Sequence, residues 1–65
     1  DLIFIKNNAR KSITSANIYS VTGSLLFTQH SNLEQLSLAE YPSGVYFIKL
    51  NFDDKITQTF QIIKK

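Results

Sequence analysis

The sequence predicts an all-β domain: a small antiparallel sandwich of two sheets, with about six to seven strands. Three features lead there. Residues that favour a pleated backbone dominate: eight Ile, two Val, five Thr, five Phe and three Tyr stand among 65 residues, against three Ala and no Met or Trp. Apolar and polar residues alternate with the period of a strand in several segments. Short clusters rich in Gly, Pro, Asp and Ser separate those segments.

A chain of this length makes one domain, residues 1–65, near the lower size limit for unaided folding. The apolar fraction of 43% is too high for a disordered tail. With no cysteine, neither disulfides nor a thiolate-bound metal can supplement the core. A start at Asp1, without an initiator Met or a signal-peptide pattern, reads as a fragment cut from a longer protein.

Residues 1–6 read as the first strand, with Ile3 and Ile5 on one face and Leu2 and Phe4 on the other. Apolar residues on both faces fit a strand covered twice or lying near an edge. A polar connector follows at residues 7–11. Residues 14–20 alternate, Ala16 and Ile18 facing one way and Asn17 and Tyr19 the other. Residues 21–24 form a tight turn in which Gly23 takes positive φ, as a three-residue hairpin loop with a bulge requires. Residues 24–29 return beside that strand, bringing Leu26 next to Ala16 and Ile18.

Residues 32–41 are ambiguous. Asn32 and Gln35 resemble a helical capping box, whereas Leu36 and Leu38 alternate with Gln35 and Ser37 as in a half-buried strand. Tyr41-Pro42-Ser43-Gly44 reads as a type I turn, with proline at the second position and glycine at the fourth. Residues 45–52 then alternate cleanly, with Tyr46, Ile48, Leu50 and Phe52 on one face. Asp53-Asp54 makes a hairpin connection, and residues 55–63 return with Ile56, Phe60 and Ile62 on one face. The strands follow one another in a meander-like order, and stacking two antiparallel layers buries them best, as in an immunoglobulin-like sandwich.

Little in the chain points to chemistry. His30, the one histidine, sits among Ser31 and Asn32 and reads as a solvated loop residue. Asp53 and Asp54 are adjacent, which suits a turn better than a carboxylate pair or a calcium loop. No serine lies in a Gly-x-Ser-x-Gly frame, and Gly23 and Gly44 are too isolated to cradle a phosphate. The expectation is no enzyme, with no catalytic residue, cofactor site or metal site. A net charge of +2, carried partly by the doublets Arg10-Lys11 and Lys64-Lys65, lacks the stripe that nucleic acid needs. Apolar runs stop at four residues, 2–5 and 45–48, so no segment is long enough to span a membrane. Strand alternation turns Tyr19, Leu25, Phe27, Val45 and Phe47 away from the core, and Tyr19, Phe27 and Phe47 could form an exposed aromatic patch.

Three stretches carry a family resemblance. Residues 16–23, Ala-Asn-Ile-Tyr-Ser-Val-Thr-Gly, resemble the "v-x-I-Y-n-x-x-G" hairpin of the type IX secretion system C-terminal sorting domain. Residues 36–50 resemble its "i-x-l-s-x-L-p-s-G-x-Y-x-x-x-i" core, and residues 59–65 its closing "t-x-K-i-i-k" strand. The likeness covers nearly the whole chain and favours a strand at residues 36–38. Gln61 stands where the family usually has lysine, and the usual Asn-Pro opening would precede Asp1.

The resemblance implies a C-terminal secretion signal that directs a fused upstream cargo across the bacterial outer membrane. Its implied partners are the outer-membrane translocon and a surface sortase that removes the domain. The implied route runs through the periplasm to the cell surface or the medium. Partner binding is expected at Ile62, Ile63, Lys64 and Lys65, and at Pro42, Ser43 and Gly44 of the loop; Gly23 and Gly44 serve the turns. The alternative is an immunoglobulin- or fibronectin-like adhesion or spacer module of a surface protein.

Overall fold

The computed structural model describes residues 2–5 and 12–65, and these form six strands with no helix among them. The strands are β1 (Leu2–Phe4), β2 (Ile13–Ser20), β3 (Leu25–Gln29), β4 (Gln35–Ser37), β5 (Gly44–Phe52) and β6 (Thr57–Lys64). One sheet has the order β3-β2-β5-β6 and the other pairs β1 with β4; every pairing is antiparallel. The connector expected at residues 7–11, with its Arg10-Lys11 doublet, lies outside the described residues.

The strand order corrects the meander expectation. Hairpins join β2 to β3 and β5 to β6, but the central pairing of β2 with β5 links residues as distant as Ile13 and Phe52. Between the hairpins the chain leaves for the smaller sheet, where β4 meets β1. The reason is burial. β2 and β5 each present one apolar row, and that row needs a second layer over it. Leu36 and Leu38 supply the layer, completing a core with Ala16, Ile18, Tyr46, Ile48, Leu50 and Phe52.

The ambiguous segment resolves into a turn and a short strand. Asn32 adopts φ 53°, a left-handed conformation that asparagine tolerates, and its carbonyl accepts the Gln35 N–H at 3.3 Å. That geometry reverses the chain, so the capping-box spacing marks a turn instead of a helix start.

Two hairpins share one hydrogen-bond pattern. In the first, the Gly23 N–H donates to the Ser20 carbonyl and the Ser20 N–H to the Ser24 carbonyl, both at 2.9 Å. Gly23 takes φ 91° there, as the three-residue loop demands. In the second, the Lys55 N–H donates to the Phe52 carbonyl at 3.1 Å, and the Phe52 N–H to the Ile56 carbonyl at 3.0 Å. Lys55 occupies the left-handed position with φ 70°. The Asp54 carboxylate steadies this turn by accepting the Ile56 N–H at 3.1 Å.

The last strand departs from expectation at two residues, Phe60 and Ile56, the latter preceding β6 and 49% exposed. Ile62 packs on the core, but Phe60 remains 48% exposed although it pairs with buried Ile48. Strand β6 is the outermost of four, whereas the covering layer has two strands of three residues each, too little to roof the outer one along its length. Leu2 and Phe4, on the outward side of β1, are likewise exposed.

Candidate docking surface

Sequence reasoning singled out two segments far apart in the chain, and the fold brings them together. Gly44 opens β5 and pairs with Lys64 near the end of β6; Val45 pairs with Ile63 and Tyr46 with Ile62. The loop that carries Pro42 and Ser43 therefore rises beside the carboxyl-terminal residues. Pro42, Ser43 and Lys65 are exposed, and Ile63 is 68% exposed. Gly44 takes φ 153°, a conformation that side chains rarely adopt, at the point where the loop becomes strand.

The loop is held differently from the type I turn expected at residues 41–44. Its hydrogen-bonded turn lies three residues earlier, with the Tyr41 N–H donating to the Leu38 carbonyl at 3.0 Å. The Tyr41 carbonyl accepts instead from the Lys64 ammonium, at 2.5 Å, and the same Nζ donates to the Leu38 carbonyl at 2.8 Å. The Tyr46 hydroxyl donates to the Pro42 carbonyl. Three loop carbonyls are thus taken by side chains from β5 and β6. The Tyr41 ring adds a stack on Phe27, centroids 5.7 Å apart, and an edge contact with Tyr46 at 6.2 Å.

Sequence reasoning missed this tethering, although one signal was present. Alternation along β6 puts Lys64 on the same face as Ile62, toward the core. A lysine there must carry its charge to acceptors, and backbone carbonyls of a turn provide them. Beside it a cavity of about 270 Å³ opens, lined by Leu2, Ile3, Leu38, Ile62, Ile63, Lys64 and Lys65. Strand β6 is also an edge strand, its far side unpaired with any strand among the described residues.

The aromatic patch is rearranged. Tyr19 and Phe47 are cross-strand partners on the outward face, half-buried, with Leu25 beside Tyr19 and the Val45–Ile63 pair nearby. Phe27 does not join them. A bulge at Leu26 sets Phe27 opposite Ile18 while Leu25 stays opposite Tyr19, so Phe27 packs on the core and stacks on Tyr41. The rest of the outward face is polar. Asn51 donates to Ser15 Oγ and Asn17 Oδ1, and Asn17 donates on to Thr28, crossing three strands.

Among the described residues no three His, Cys, Asp or Glu side chains gather as a metal site, and no helix is long and apolar enough to cross a membrane. His30, Asp53 and Asp54 are exposed.

A family model, described as the secretion system C-terminal sorting domain, matches residues 1–65. The chain belongs to this family. It is a type IX C-terminal sorting signal, and the family implies export to the cell surface or beyond and a cargo fused upstream. Domains of this kind address a protein and are not normally catalytic. No curated protein and no solved structure matches the chain.

Proposed function

We propose that the sorting domain is read by the outer-membrane translocon at the end of the sandwich where Pro42, Ser43 and Gly44 meet Ile62, Ile63, Lys64 and Lys65. The single observation that supports this reading is the Gly44–Lys64 pairing, which joins both segments into one surface. The edge of β6 offers its backbone groups for strand addition, and exposed Ile63 and Lys65 supply an apolar and a cationic contact beside that edge. In this reading the folded domain meets the translocon from the periplasm, and a surface sortase then cuts it from its cargo.

Deletion of residues 62–65 from the full-length protein tests the docking surface. Secretion is expected to fail, with the cargo retained inside the outer membrane. Undiminished secretion would rule this surface out.

A further inference from the structure

Lys64 and Lys65 are neighbours of equal charge in very different places. Lys65 is exposed, whereas Lys64 is half-buried and spends its ammonium donors on the Leu38 and Tyr41 carbonyls. Those two carbonyls bracket the turn at the root of the loop carrying Pro42 and Ser43. A charge-assisted bond to a turn carbonyl outweighs a neutral one, and two from one ammonium fix the turn from a single point. A second side chain, the Tyr46 hydroxyl, tethers the loop farther along by donating to the Pro42 carbonyl. Deleting the ammonium would remove the charged donor from both the Leu38 and the Tyr41 carbonyl.

From this geometry we infer that Lys64 is a positioning residue of the sorting signal: it latches the 39–44 loop to the end of β6 so that loop and terminal strand are presented in one fixed arrangement. The inference rests on the docking reading above and adds a division of labour. Lys65 is available to a partner as a charge; Lys64 acts through the loop.

The test uses the full-length protein in a bacterium with the type IX machinery, and reads secretion together with amide hydrogen exchange of the purified protein. Lys64→Met keeps the length of the side chain and removes the ammonium. It is expected to speed exchange in residues 39–44 roughly tenfold while β2 and β5 stay protected, and to abolish secretion. Lys64→Arg, which can still donate to two carbonyls, restores both. Lys65→Met leaves loop exchange unchanged. Tyr46→Phe removes the second tether without altering charge, and is expected to loosen the loop and reduce secretion.

Three outcomes overturn the latch. Secretion lost with the loop still protected means that Lys64 is read directly as a charge. A loosened loop with full secretion, in Lys64→Met or Tyr46→Phe, means that loop order is irrelevant. Faster exchange throughout the domain means that Lys64 merely holds the fold. Failure of the docking reading is read separately from Ile63→Asp, an exposed position that leaves the Lys64 bonds in place: normal secretion of that variant would count against the docking surface and not against the latch.

Discussion

Lys55 occupies, in the second hairpin, the backbone position that Gly23 occupies in the first. An L-residue in that left-handed region costs roughly 1–2 kcal/mol, and glycine returns part of the gain as chain entropy, about 0.5–1 kcal/mol. Lys55→Gly should therefore stabilise the domain by about 0.5–1 kcal/mol in urea unfolding. Gly23→Ala should destabilise it by about 1 kcal/mol through torsion alone, because a methyl group there would meet nothing within 4 Å. Gly23 was legible in the sequence because glycine advertises the conformation. Lys55 was not, since lysine carries no such signal and only the closed hydrogen-bond pattern reveals the strain. Lys64 was half-legible: alternation assigned its direction, but its acceptors lie on a turn more than twenty residues away.

At the scale of elements, period-2 alternation located β2, β5 and β6, and the Gly23 reversal fell where expected, whereas β4 was ambiguous by pattern and the turn expected at residues 41–44 lies at residues 38–41. What alternation does not carry is how far a covering layer reaches. Phe60 shares its face with Ile62 and pairs with buried Ile48, yet it stands at the uncovered edge. Truncations should separate the two positions. Ile48→Ala should cost about 2–4 kcal/mol, as a core deletion does, whereas Phe60→Ser should cost about 1 kcal/mol or less. Equal losses in chemical denaturation would mean that β6 is roofed more completely than its exposure indicates. Phe27 teaches a similar lesson, since the single extra residue of a bulge moved it from the outward row to the core. Nothing in the run Leu25-Leu26-Phe27 discloses which residue bulges, because all three are apolar.

At the scale of the whole molecule, the described residues form a four-stranded sheet under a two-stranded one, and stability rests on few side chains. At roughly 0.05–0.15 kcal/mol per residue, 65 residues give about 3–10 kcal/mol in all. Leu36 is the middle residue of the short β4 and is 1% exposed. Leu36→Ala should cost about 2–5 kcal/mol, enough to leave the domain largely unfolded if its stability lies at the low end. Circular dichroism across a thermal scan checks this. The two-layer class was legible from strand count and turn spacing, but the strand order was not. The β2–β5 pairing is a long-range choice made by burial, and no local signal encodes it.

The central claim is that residues 1–65 are by themselves an outward address. Fused to the carboxyl end of a periplasmic reporter, in a bacterium with type IX machinery, the segment should carry the reporter to the surface or medium. Recovery of the folded fusion solely in the periplasm, with a working machinery confirmed by a native cargo, would contradict that claim.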